Sequence, residues 1–386
     1  MQQRPHFFRS RLAPRWARHT ALALALVAGL SACSSSKPPK PAELGPNVVL
    51  LPVRQVWHTS IPALKNASIA PQVLGQDVVV AGADGTVVSV NAASGRENWR
   101  AQVGSSLQSG VGSDGRYVAV VTASNALTVL EQGRTLWSKP LAAASYTAPL
   151  VAGGRVFVQT ADRHLSAYDA QDGSLLWTHR RESEPLVLRQ QGILRAHGNL
   201  LLAGLSGRLV ALNPDNGAVI WEAPIAAPRG TNDVERLVDL VAPSARDGDV
   251  VCARAFQSSI GCVDVAQARL LWTTPAKGSV GVAADAERVF GTESNGIVQA
   301  WNRTDGRKDW SNQRLQHRQL SAPLVLGRSV IVGDSTGLVH MFSKQDGSPL
   351  NRFPTDSSGV ATAPVVAADT LVVLTRNGGL YGFRPD

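Results

Sequence analysis

The stretch AQDGSLLWTH, Ala170–His179, sets the fold. Asp172-Gly173 is a tight-turn pair, and Leu175-Leu176-Trp177 is a short apolar strand. The same turn-and-strand unit returns along the chain. AASGRENWRAQ reaches Trp99, LEQGRTLWSKP reaches Trp137 and NPDNGAVIWEAP reaches Trp221. VAQARLLWTTP reaches Trp272 and RTDGRKDWSNQ reaches Trp310, while KQDGSPLNRFP keeps the turn and offers Phe353 in place of tryptophan. Trp57, in VRQVWHTS, opens the series. From Trp57 to Phe353 the intervals run from 38 to 51 residues. A period near 40–45 is that of a propeller blade of four strands.

Working outward from Trp177, the unit Ala148–His179 divides into four short strands. Gly153-Gly154, Asp162 and Asp172-Gly173 mark the turns between them. A small residue followed by proline recurs at Pro71, Pro149, Pro243, Pro323 and Pro364, and proline suits a strand's first position, where no ladder bond is lost. The two ends complement each other. After Pro364 the chain has room for three strands, and before Trp57 there is room for one. Pairing the N-terminal and C-terminal strands closes the ring and removes its exposed edges. The sequence therefore predicts an all-β, eight-bladed β-propeller. Trp57, Trp99, Trp137, Trp177, Trp221, Trp272 and Trp310 are assigned structural roles between blades, each with its indole N–H free to reach a backbone carbonyl.

Charge and composition narrow the function. The 386 residues carry a formal net charge of +9, but residues 1–32 hold five arginines and no acid, leaving +4 for the rest. No basic cluster interleaved with aromatics appears, so a nucleic-acid partner is set aside. The ten apolar residues Ala21–Leu30 are too few to span a bilayer and read as a secretory signal. Leu30-Ser-Ala-Cys33 resembles a bacterial lipobox, which implies cleavage before Cys33, acylation of its thiol and new amino terminus, and stable anchoring by several chains. Ser34 follows, and by resemblance to enterobacterial sorting rules the absence of an aspartate there implies delivery to the outer membrane. The resulting organisation is a signal peptide over 1–32, an acylated Ser/Pro-rich tether over 33–46, and a propeller over 47–386 facing the periplasm.

The tryptophan-bearing repeats resemble those of pyrroloquinoline quinone (PQQ) dehydrogenases, AYDAQDGSLLW most closely. The chain has no adjacent cysteine pair, no carboxylate-Asn cluster suited to calcium, no histidine pair at ligand spacing and no nucleophile-elbow motif. No catalytic residue, metal or cofactor is assigned, and a quinone-binding propeller remains the rival reading. Cys252 and Cys262 flank one turn near Gln257. Two readings stand for them: a cross-strand disulfide, favoured in an oxidising compartment, or two thiols packed as small hydrophobes.

The connections that break the period draw the functional search, because loops carry recognition. Trp221 to Pro243 is 22 residues, against 12–14 for the regular connections. The excess holds Glu235, Arg236, Leu237 and Asp239. After Trp177, the connection lacks the small-Pro start and carries Leu186, Leu188 and Arg189. The two segments are one blade apart, so they are expected side by side, with leucines as an interface core and charges as anchors. Lipobox, tether, eight repeats and ring closure together are similar to the BamB family, lipoproteins of the β-barrel assembly machinery. That resemblance implies a non-catalytic scaffold that binds the POTRA domains of BamA, assists outer-membrane protein insertion, and offers edge strands or a concave face to unfolded clients. A scaffold of another envelope complex is the second rival. Leu186-Val-Leu188-Arg189 matches one family BamA-binding segment, and Arg236-Leu237-Val238-Asp239 matches the start of the other. Val241 stands where the family's second acid is expected.

Overall fold

The computed structural model describes residues 39–64, 69–181, 186–228, 231–233 and 236–386. Cys33, the signal segment 1–32 and Glu235 lie outside the described residues. Among those described there is no helix, and the strands form eight four-stranded antiparallel sheets. Blades 1 to 7 span residues 72–102, 112–140, 150–180, 194–224, 240–275, 282–312 and 324–354. Blade 8 combines 365–385 with the N-terminal strand Val53–Ser60, which pairs in antiparallel register with Gly379–Pro385, His58 facing Tyr381. The first strands of blades 1 and 8 pack together, as do those of most neighbouring blades around the axis. The ring is closed as the count of units predicts.

Each blade is sandwiched between two others, and this explains why its middle strands lose the alternation of a half-exposed sheet. Asp77–Ala81 (DVVVA) and Tyr117–Val121 (YVAVV) are buried almost throughout, whereas the outer strand Glu97–Gln102 is mostly exposed. The tryptophans sit on these outer strands and reach the next blade. Trp177 Nε1 donates to Pro214 O at 2.9 Å, and Trp57, Trp137, Trp272 and Trp310 donate to the corresponding carbonyls of Ala92, Ala170, Arg303 and Lys344. The turn that receives the ring needs glycine on two counts. Gly217 has φ of 72°, and a Cβ there would lie 2.5 Å from Trp177 Cε3. The AQDG-type turn and the tryptophan one blade earlier are thus two halves of a single contact.

Blade 7 departs from the sequence expectation. Each tryptophan in blades 1–6 faces the residue just before a recurrent bulge in the third strand, as Trp177 faces Ala167. The residue in that register in blade 7, opposite Met341, is Asn351, and Phe353 faces Val339 two places on. The reason lies in blade 8, whose third and fourth strands come from opposite chain ends. No turn exists there to receive an indole. Asn351 Nδ2 instead donates to Leu51 O at 2.8 Å, just ahead of the N-terminal strand.

The compact unit runs Pro41–Asp386. Ala42 N donates to Gln316 O, Arg318 to Ala42 O, Arg352 to Gly45 O, Asn47 Nδ2 to Arg352 O, and Leu50 N to Leu350 O. Leu44 packs against the core shared by blades 6 and 7. Residues 42–51 form a strap over blade 7.

Cys252 and Cys262 face each other in adjacent strands of blade 5 and are joined as a disulfide. Alkylation of periplasm-derived protein under denaturing conditions, without reductant, is expected to label neither; labelling of both would return them to packed thiols.

Candidate partner-binding site

Residues 186–189 connect blades 3 and 4, and residues 236–239 connect blades 4 and 5. The structure lays the two side by side. Leu188 N donates to Asp239 Oδ2 at 2.9 Å, and Ala242 N donates to Gln191 O at 2.9 Å. A third element, absent from the sequence reading, locks them. Arg163, in a turn of blade 3 with φ of 65°, donates from Nη1 to Asp239 Oδ1 at 2.7 Å and from Nη2 to Leu186 O at 2.6 Å. Arg163 is 7% exposed. One guanidinium therefore holds both segments, and one carboxylate receives a bond from each side. Nothing around Arg163 in sequence sets it apart from the other arginines in turns; its importance comes from the residues folded over it.

This geometry changes the part Asp239 plays. A charged anchor should project toward a partner, but both Asp239 oxygens are used internally and its side chain is largely covered. Asp239 positions the loops. The outward groups are Leu186, 40% exposed, and Arg189, exposed with its guanidinium 5.8 Å from the Tyr146 ring centre. Arg236 is exposed, and Leu188 and Leu237 are half-buried beneath them. Val241 is 1% exposed and faces Arg254 in register, while Arg254 takes its carboxylate from Glu293 of blade 6 at 2.9 Å. The position without the second acid is thus blade wall, not open surface.

Beneath the segments Tyr146, Gln159, Arg163, Leu188, Asp239 and Leu240 line a cavity of about 40 Å³. That volume has room for a water-sized molecule only and is far below a cofactor pocket of roughly 300 Å³ or more. Among the described residues no group of three His, Cys, Asp or Glu is placed to hold a metal. The most perturbed carboxyl, Asp334, lies in blade 7. Burial alone would raise it, but hydrogen bonds from His340, Thr336 and the Leu338 amide hold it well below the usual carboxylate range. Arg318 completes the group at 3.0 Å, and Asp334 and His340 are buried, so the cluster stitches the blade.

Comparison with known proteins bears on what such a ring and site serve. A family model described as outer membrane protein assembly factor BamB matches residues 54–106 and 83–312. The protein of that name from Burkholderia pseudomallei (strain K96243) is 39% identical over 379 residues, 97% of this chain and 99% of that protein. Its namesake from Bordetella pertussis is 32% identical, over 89% of this chain and 90% of its own. Among solved structures, BamB from Moraxella catarrhalis superposes with a TM-score of 0.79 at 22% identity, over 86% of this chain and 99% of that one. A quinohemoprotein alcohol dehydrogenase from Pseudomonas putida shares the fold, with a TM-score of 0.65 at 14% identity over 86% of this chain and 76% of its own.

Proposed function

The chain belongs to the BamB family of outer membrane protein assembly factors, and from that premise we propose that it is a non-catalytic, periplasm-facing scaffold of the BAM complex. It is anchored to the outer membrane by acylation at Cys33 and binds the POTRA domains of BamA through residues 186–189 and 236–239. Assistance to inserting outer-membrane proteins follows from holding that array in place. The observation that carries the reading is the clasp of Arg163 and Asp239, which fixes two irregular connections so that Leu186 and Arg189 face outward together.

Preorganisation is what a scaffold site requires. A loop already ordered before binding gives up less conformational freedom on contact. Leu186 then supplies apolar area while Arg189 offers charge-assisted hydrogen bonds to an acidic or carbonyl partner group. Arg189→Glu is expected to weaken capture of BamA by roughly thirtyfold, the value of a central contact worth about 2 kcal/mol. The loss of its Tyr146 contact should cost folding only about 0.5–1 kcal/mol. Lys308→Glu, a charge reversal on the exposed outer strand of blade 6, is the control and should capture normally. Wild-type capture by the Arg189 variant would place the partner surface elsewhere.

A further inference from the structure

The strap over blade 7 and the short stretch between it and Cys33 restrict which side of the ring can meet the membrane. This step rests on acylation of Cys33, as proposed above, and adds an orientation to it. We propose that the blade 7 rim, covered by residues 42–51, is the edge of the molecule that lies against the lipid headgroup surface.

Three observations support it. First, the stretch of sequence between Cys33 and the strap is short. Ala42, already bonded to Gln316 and Arg318, is nine chain steps from Cys33, with eight residues between them. Fully extended at ~3.3 Å per residue, those steps reach about 30 Å. A compact unit of this size is roughly 50 Å across by the usual scaling. Blade 3 lies four blades from blade 7 in a ring of eight, and so opposite. The anchor that keeps blade 7 near the bilayer leaves blade 3 far from it.

Second, the strap shows apolar side chains to solvent where a soluble rim would be polar. Val48, Val49 and Leu50 are consecutive and 41%, 57% and 59% exposed. They follow directly on the stretch that leads back to the anchor, and interfacial helices and loops bury similar side chains at the headgroup boundary. Third, the groove beside the strap suits phosphates. Arg314 and Arg352 line it together with Glu43, the single carboxylate among its lining residues. Attraction of basic side chains to anionic headgroups adds to lipid anchoring. With blade 7 against the lipid, the segments at Leu186 and Arg189 face away into the periplasm, where a soluble partner domain has access.

The test uses a pair of equivalent positions. Gln171 in blade 3 and Gln345 in blade 7 open the same turn, QDGS, and both are exposed. Full-length acylated protein carrying Gln171→Cys or Gln345→Cys is labelled with a fluorophore and reconstituted in vesicles of phosphatidylethanolamine and phosphatidylglycerol with a headgroup-borne quencher. The blade 7 label is expected to be quenched severalfold more than the blade 3 label. A long Gly/Ser insertion between Lys40 and Pro41 should narrow the difference. Equal quenching of the two labels in protein shown by mass spectrometry to be acylated overturns the orientation and leaves the anchor standing. A mass spectrum without acyl chains on Cys33 removes the anchor and the orientation with it.

Discussion

Trp177→Ala is expected to lower the free energy of unfolding by about 3–5 kcal/mol, the range for a large aromatic removed from a packed site. Trp177 is 9% exposed, lies 5.9 Å from the Phe157 ring and rests against Gly217 of blade 4. Alanine leaves a cavity between two blades, and the Pro214 carbonyl loses its donor. In a ring of repeats stability is largely a sum of unit and neighbour terms, so the damage concentrates at one blade junction. That junction carries residues 186–189, and the variant should also capture less BamA. Trp99→Ala is the informative comparison. Its ring is half-exposed, and the smaller burial predicts a smaller loss. Thermal unfolding of the two variants should differ by several degrees. Equal melting temperatures for wild type and the Trp177 variant would remove the inter-blade role assigned to this residue.

The second large effect belongs to Asp239. Asp239→Ala strands a guanidinium that is almost fully buried, and breaking such a pair by removing one partner costs about 3–5 kcal/mol. It also deprives the Leu188 amide of its acceptor and loosens the hold of Arg163 on Leu186. Stability and capture should therefore fall together, in contrast to Arg189→Glu, where capture falls with little loss of stability. A double replacement separates the two consequences. Arg163→Met with Asp239→Leu removes both charges and should recover most of the lost stability, since apolar substitutes for a buried pair are often neutral. Capture should stay low, because neither methionine nor leucine can hold Leu186 O and Leu188 N in place. Recovery of capture with recovery of stability would show that the clasp contributes to folding and not to presenting the site.

These expectations draw unequally on sequence and on tertiary structure, and the difference follows from range. Blade number, strand count and ring closure were legible because each rests on local signals repeated along the chain: a turn pair, an apolar strand, a tryptophan, a small-Pro start. A misread at one unit is corrected by the next, and the incomplete units at Trp57 and after Pro364 specify their own pairing. The placement of the tryptophans on the outer strands was legible for the same reason. The clasp was not. Arg163 and Asp239 are 76 residues apart, and no periodicity relates them. Their meeting depends on where blades 3 and 5 place a turn and a loop, so Asp239 read as an outward anchor until the fold turned its carboxylate in. Asn351 was missed because sequence spacing favours the next aromatic, Phe353, whereas pairing register is set by hydrogen bonds between strands and by a bulge. Residues 42–46 of the strap were read as tether because a Ser/Pro-rich composition describes a chain's own preference for extension. What held the strap was supplied by others: the carbonyls and side chains of blade 7 and of the connection leading into it, more than 250 residues away along the chain. Repetition wrote the architecture into the sequence, while contacts between distant, non-repeating residues existed only once the ring had formed.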